Sequence, residues 1–200
     1  MTQRSIRDQA AALGIEISDL DHDRLRAFMA LFLKWNARIN LSAARTENDL
    51  ARHVVDSLAV LPHLSTTRTL VDVGSGGGFP GVVLALVRPG NLHVVALEPI
   101  HKKHAFLSAV RRELDAANLE PRALRVEEMD GDERFDAAVS RATFPLADWL
   151  QIGARLVGAG GLVLGMEGQE ATDLPVGAIR LPYASGDRTR AIIAYRPPLR

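Results

Sequence analysis

Apolar residues recur at two different spacings along this chain, and the change from one to the other divides it. From Asp23 to Asn36, Leu25, Phe28, Met29, Phe32, Leu33 and Trp35 recur at roughly helical spacing, which lines one face of a helix. Asp21 or Asp23 is placed to cap its N-terminus. A second helical pattern starts near Glu47, runs through Leu50, Val54, Val55 and Leu58, and should stop at Pro62, where the ring and the missing N–H oppose a further turn. Residues 1–64 are therefore expected to form a helical segment packed on the rest.

After "STTRT" the pattern becomes short apolar runs alternating with helices. "TLVDVG" (69–74) reads as a buried strand, "FPGVVLALVRP" as a helix with Pro80 in its first turn, and "HVVALE" (93–98) as the next strand. Residues 101–118 give the clearest helix, with Phe106, Leu107, Val110 and Leu114 inward and Lys102, Lys103, Arg111 and Arg112 outward. Strands "RALRVE" (122–127) and "FDAAVS" (135–140), helix "LADWLQIGARLV" and strand "GGLVLGME" follow. Such alternation predicts a three-layer α/β domain over 65–200, built on a mainly parallel sheet with right-handed crossovers. "AIRLPY" and "RTRAIIAYR" flank the turn-like "ASGD" and predict an antiparallel hairpin closing the sheet edge.

Composition narrows the class. Hydrophobic content of 47% with 24% charged residues excludes a disordered chain. The lack of cysteine excludes disulfides and thiol nucleophiles and fits a reducing compartment; with scattered histidines, no metal set is expected. "MTQRSIRDQA" has no apolar core of a secretory signal, and no apolar run is long enough to span a bilayer, so a cytoplasmic protein without a membrane partner is the expectation. Net charge is zero, yet Arg180, Arg188, Arg190, Arg196 and Arg200 face a single acid, Asp187, near the C-terminus, while residues 113–136 are acidic. The molecule is polarised.

The chemistry concentrates in "VDVGSGGGFPG" (71–81). Read from Gly74 it is acidic-x-G-x-G-x-G, a turn suited to S-adenosylmethionine; read from Gly76 it is G-x-G-x-x-G, the dinucleotide pattern. Glycines after a first parallel strand let backbone approach a ligand, and the helix that follows offers N–H donors. Glu98, at the end of the second strand, is placed to accept hydrogen bonds from both ribose hydroxyls of either cofactor. Three features favour the methyl donor. Asp72, two residues before Gly74, suits an ammonium and would repel a pyrophosphate. The chain left after the loop is too short for a second nucleotide-binding half and a substrate domain. No tyrosine–lysine pair for hydride transfer appears. An NAD-dependent oxidoreductase, a non-catalytic cofactor-binding RNA module and a ligand-free glycine turn stay as alternatives.

Elsewhere, His53 and Asp56 lie three apart on one helix face and are placed to pair, either as a structural bond or in a site. Trp35, Asn36 and Asn40 offer either a helix anchor or an RNA-stacking surface. Lys102 and Lys103 with Arg111 and Arg112 are either a solvated face or a phosphate contact.

Taken together, "WNARINLSA" (35–43), "RHVVDSL" (52–58), "VDVGSGGGFPG", "RVEE" (125–128) and "FDAAVSRA" (135–142) resemble the bacterial small-subunit ribosomal RNA methyltransferase G family, also called glucose-inhibited division protein B. The likeness runs from about residue 15 onward, in order and spacing. It implies a class I, Rossmann-like S-adenosylmethionine-dependent methyltransferase acting on N7 of one guanine in 16S rRNA; a small-subunit particle as the setting and a monomeric enzyme are further expectations. It also implies donor contacts at Gly74, Phe79, Val126, Glu127 and Arg141, beside Asp72, Gly76, Gly78 and Glu98 from the loop itself. N7 carries a lone pair and no proton, so no general base is nominated; Arg141 is instead a group for positioning a carboxylate, a phosphate or guanine O6. Arg188, Arg190, Lys102 and Lys103 are the residues expected on RNA. Two departures stand out. Glu98 is followed by Pro99 where the family commonly has serine, and Glu167 precedes Gly168 where it commonly has lysine, reversing a charge near the expected RNA mouth.

Overall fold

A computed structural model describes residues 5–167, 173–186 and 188–198; Gly168, Asp187 and Arg200, each part of an expectation above, lie outside them. Three helices come first: α1 (Ile6–Ala11), α2 (Asp19–Ile39) and α3 (Glu47–Leu58). The cap of α2 is Ser18, whose hydroxyl accepts from the Asp21 N–H, so the helix begins earlier than Asp21 or Asp23 would allow. Thr46 and Asp49 close a reciprocal capping box on α3. After α3 the chain makes a short 3-10 turn, Leu61–Leu64, with Pro62 inside it.

The sheet then forms from β1 (Thr69–Val73), β2 (His93–Leu97), β3 (Leu119–Arg122), β4 (Phe135–Arg141), β5 (Val157–Glu167), β6 (Ala178–Ser185) and β7 (Arg188–Tyr195), with α4 (Gly81–Val87), α5 (His101–Glu113) and α6 (Leu146–Leu156) between strands. Its order is β3-β2-β1-β4-β5-β7-β6. The first five strands run parallel, and β7 is antiparallel to both β5 and β6. The hairpin thus inserts its second strand next to β5, which leaves β6 as the edge.

Residues alternate between the two faces of β1. Leu70 joins Leu25, Phe28, Leu50, Leu84 and Phe106 in a core shared by α2, α3, α4 and α5. Val71 and Val73 join Trp149, Val163 and Ile193 in a second core under α6. The three layers are therefore helices, sheet and α6, and the N-terminal helices share the larger core with the sheet.

The third strand departs from the expectation of "RALRVE". Leu119, fully buried, pairs with Val94, and Asn118 Nδ2 donates to the carbonyls of Leu92 (2.7 Å) and Ala85 (3.0 Å), fixing the strand three residues earlier. Pro121 is tolerated because β3 is an edge strand. Residues 126–128 leave the sheet as a 3-10 turn, with the Arg125 N–H donating to the Glu128 carboxylate at 2.7 Å. α5 also ends at Glu113 rather than at residue 118.

The order reverses between β1 and β4: the chain leaves β1 towards β2 and β3, then returns on the other side. A crevice at the carboxyl ends of these two strands is the usual ligand position in such sheets.

Candidate active site

The glycine loop leaves β1 at that reversal. The N–H groups of Gly74 and Ser75 both donate to the Leu97 carbonyl at 3.0 Å, tying the loop to the end of β2. Gly74, Gly76 and Gly78 have φ of 75°, 53° and 90°, a region that side chains rarely adopt. Their surroundings differ. A Cβ on Gly74 would stand 2.3 Å from Thr143 Oγ1, and one on Gly78 would stand 2.6 Å from Val82 Cγ2. On Gly76 it would meet nothing closer than the Gly74 carbonyl oxygen at 3.8 Å. Gly76 is thus the loop glycine at which a Cβ would meet protein only at ordinary contact distance, so the backbone there forms a cradle that a larger side chain would fill.

Glu98 stands beside it, 3% exposed. Its Oε2 accepts from the Gly76 N–H and its Oε1 from the Ile100 N–H, both at 2.9 Å. Each oxygen keeps a further lone pair for a hydroxyl donor, so the carboxylate both shapes the loop and remains able to accept a diol. Pro99 lies between these two bonds and leaves both intact.

Asp72 is fully buried beneath the loop. Its Oδ2 accepts from the Gly81 N–H at 2.9 Å, at the first residue of α4, while its Oδ1 has no hydrogen-bond partner. Burial pushes this carboxyl up to about 6, against the Gly81 bond, the nearby Ser75 hydroxyl and the Arg141 cation, all of which lower it. A buried acceptor without a donor fits a cationic group at the loop, and the ammonium of an amino-acid moiety is one. Because its folded value lies above the ordinary 3.8, the stability Asp72 contributes is present below that value and lost as pH rises through about 6. Asp72→Asn is therefore expected to raise the melting temperature of the ligand-free protein at pH 7.5 and to change it little near pH 4. The gain should be on the order of 1 kcal/mol, below the ~3 kcal/mol that the displaced titration corresponds to, because the new amide NH2 would itself lack a partner. Thermal melts at both pH values, showing no difference at pH 7.5, would count against this reading.

Arg141 ends β4, and the chain turns sharply after it through Ala142, a non-glycine residue at φ 55°. The guanidinium lies over the Phe79 ring, 5.2 Å from its centroid, and its Nη1 is 3.4 Å from His53 Nδ1. Burial opposes the charge on Arg141, and the carboxylates of Asp56 and Asp72 support it. His53 is pushed down to about 4, first by burial and then by the Arg141 cation, and is neutral near pH 7. Phe79 is itself buried against Phe28 (5.4 Å), Phe32 (5.6 Å) and the His53 ring (5.4 Å), so it joins the loop to α2 and α3.

His53 and Asp56 do not bond to each other. Asp56, fully buried, accepts from Ser185 Oγ at 2.6 Å and Tyr183 Oη at 3.4 Å and forms an ion pair with Arg190 at 3.0 Å. Arg190 is thus half-buried and ion-paired, on a strand paired on both sides, rather than a free surface cation. Arg180 forms a bidentate pair with Glu167 (2.7 and 3.0 Å), which compensates the reversed charge at 167. Arg196 donates to the Gly160 carbonyl at 2.6 Å. Arg188 is exposed, and no partner for it is seen among the described residues. The start of β7, antiparallel to β5, lies at the carboxyl end of the parallel strands, the same end of the sheet as the glycine loop and the first turn of α5 with Lys102 and Lys103.

Val126 and Glu127 are not gathered with the loop by the largest cavity described, about 670 Å3, which they line with Met129, Arg134 and the start of β5; no residue of the loop lines it. Trp35 packs on Phe106 of α5 at 5.8 Å, joining α2 to α5, and the buried Asn36 donates to the Ala44 carbonyl and accepts from the Ser42 N–H, holding the connection between α2 and α3. Asn40, at φ 54°, ends α2. Thr143, whose side chain fills the space above Gly74, was not among the residues expected at the site, and only its place two residues after Arg141 points to it.

The model of the rRNA small subunit methyltransferase G family matches residues 21–178. A ribosomal RNA small subunit methyltransferase G from Azoarcus sp. (strain BH72) is 41% identical, covering 86% of this chain and 83% of the relative. One from Burkholderia pseudomallei (strain 1106a) is 39% identical, covering 96% and 89%. Among solved structures, an O-methyltransferase from Bacillus cereus in complex with SAH aligns with a TM-score of 0.60 at 18% identity, over 84% of this chain and 89% of that one. The O-methyltransferase TomG from Streptomyces achromogenes, in complex with SAM, aligns with a TM-score of 0.57 at 15% identity over the same shares. These two likenesses establish the class I, Rossmann-like methyltransferase fold. With the family model spanning most of its length and relatives near 40% identity, the chain belongs to the rRNA small subunit methyltransferase G family.

Proposed function

We propose that this protein transfers a methyl group from S-adenosylmethionine to N7 of a guanine in 16S rRNA. The observation that carries the reading is the trio at the β1–β4 reversal: the Gly76 cradle, the Glu98 carboxylate beside it and the unpartnered Asp72 Oδ1 below. A ribose diol suits Glu98, an ammonium suits Asp72, and backbone at Gly74, Gly76 and Gly78 admits close approach. Phe79, Val126, Glu127 and Arg141 are the further donor contacts that the family likeness implies. The names of the relatives support a small-subunit rRNA acceptor.

Bound S-adenosylmethionine supplies an electrophilic sulfonium methyl. The chain's own task is alignment, because N7 needs no deprotonation. A neutral His53 and a charged Arg141 agree with that division: neither is arranged as a base, and the guanidinium holds anionic or carbonyl oxygen. The acceptor is read as 16S rRNA within a small-subunit particle, the enzyme as a cytoplasmic monomer, and residues 1–64 as a helical unit that closes one side of a methyl-donor domain at 65–200. No helix among the described residues is long and apolar enough to cross a membrane.

Labelled-methyl transfer tests the reading, with 16S rRNA and isolated small subunits as acceptors. Label at guanine N7 supports it. No incorporation into either, with S-adenosylhomocysteine bound in calorimetry, would leave a binding module, and binding of NAD instead would overturn the cofactor.

On the RNA side, Lys102, Lys103 and Arg188 are the exposed or half-exposed cations at the loop's end of the sheet. Arg188→Gln is expected to weaken RNA binding and reduce the slope of log affinity against log salt by about one counterion-equivalent, with cofactor affinity unchanged. An unchanged slope would move the phosphate contacts to α5.

A further inference from the structure

We infer that His53 is a positioning residue for Arg141, through which the N-terminal helical unit sets the geometry of the methyl-donor site. This rests on the proposed function in taking Arg141 as a donor contact. The two residues lie 88 positions apart and meet through Arg141 Nη1 and His53 Nδ1 at 3.4 Å. A guanidinium has only donors, so Nδ1 must accept, and the neutral ring carries its proton on Nε2. Both groups also rest on one surface: the Phe79 ring lies 5.4 Å from the His53 ring and 5.2 Å from the Arg141 guanidinium carbon.

The surrounding charges hold Arg141 without reaching its orientation. Asp56 and Asp72 are the carboxylates that act on it, and Arg190 is the nearby cation that opposes it. Yet Asp56 accepts from Ser185 and Tyr183 and pairs with Arg190, and Asp72 accepts from the Gly81 N–H. His53 is the polar side chain found within hydrogen-bond reach of the guanidinium among the described residues. A guanidinium tethered at one nitrogen and stacked on an aromatic ring keeps its remaining donors aimed in one direction. Without the tether it is free to turn about the stack.

A double-mutant cycle tests this, comparing wild type, His53→Phe, Arg141→Met and the double variant by calorimetry with S-adenosylhomocysteine. His53→Phe keeps a ring beside Phe79 and removes the acceptor; it should weaken binding by roughly tenfold, with no further loss once Arg141 is absent. His53→Gln, which retains an acceptor, should recover most of the affinity. His53→Leu repeats the comparison with a side chain too small to crowd Phe79. In steady-state methyl transfer, the effect should fall on the parameters for the donor and leave KM for 16S rRNA unchanged, which a general loss of structure would not do. Wild-type affinity in His53→Phe and His53→Leu, or additive losses in the double variant, would overturn the inference. So would normal binding by Arg141→Met, even if the wild-type enzyme methylates rRNA. Conversely, a coupled cycle in a protein that transfers no methyl would sustain the inference and reject the acceptor.

Discussion

Gly76→Val is expected to give a folded protein whose affinity for S-adenosylhomocysteine is lower by on the order of 100-fold, nearly 3 kcal/mol. Two properties of the position combine. Its φ of 53° lies where a side chain is disfavoured by about 1–2 kcal/mol, and more for a branched one. Its Cβ would stand at ordinary contact distance from the Gly74 carbonyl oxygen (3.8 Å) and Glu98 Oε2 (4.0 Å), so it clashes with no protein atom. The strain alone lies within the roughly 5–15 kcal/mol by which domains are stable, so the fold should survive while the cradle is filled. Gly81→Ala makes the contrast. There the Cβ would stand 2.5 Å from Asp72 Oδ2, inside the packed base of the loop, and the expected loss is of stability before binding. Circular dichroism and calorimetry on both variants separate the two effects. A folded Gly76→Val protein with undiminished affinity would show that the ligand lies elsewhere.

Local patterns made the central parts of this fold legible. The strand, glycine loop and helix from Thr69 to Val87 follow from an apolar run, an acid, spaced glycines and a proline, and all of those determinants lie within twenty residues of one another. Glu98 was readable for the same reason, since a carboxylate ending the second parallel strand stands beside the loop after the first. What escaped depends on partners distant in sequence. "RALRVE" alternates as a strand should, but register was decided by Asn118 reaching back to Ala85 and Leu92. Arg190 read as a surface cation because nothing near it in sequence reveals Asp56, which lies more than 130 residues earlier. Glu167 read as a reversed charge at an RNA mouth because its compensation by Arg180 arises only when β6 pairs beyond β7. The positive φ of Ala142 has no signature in its type at all.

The Asp56 pairing yields the largest expected change in stability. Asp56→Ala should destabilise the protein by about 3 kcal/mol, the lower part of the range for breaking a buried ion pair. The lower part applies because the Arg190 side chain keeps 30% exposure, while Asp56 keeps 1%. Removing the carboxylate leaves the Ser185 hydroxyl, now 2.6 Å from Asp56, and Tyr183 without their acceptor, and leaves the Arg190 cation facing Arg141 and His53. For a chain of this size that corresponds to a fall in melting temperature of roughly 6–12 °C. Asp56→Asn, which still accepts from Ser185, should lose less. Pairing Asp56→Ala with Arg190→Met should recover part of the loss, since removing both charges leaves none buried alone. The same reasoning dictates that Arg190 is a poor probe of RNA binding: neutralising it strips Asp56 of its counter-charge, and weaker RNA binding would then report altered packing around α3. Arg188 carries no such partner among the described residues, so its substitution tests for a phosphate contact without disturbing that pair. Thermal melts of the three Asp56 and Arg190 variants decide the matter, and an Asp56→Ala protein melting within about 2 °C of wild type, a difference too small for an uncompensated buried charge, would show that the pair does not hold the N-terminal helices to the hairpin.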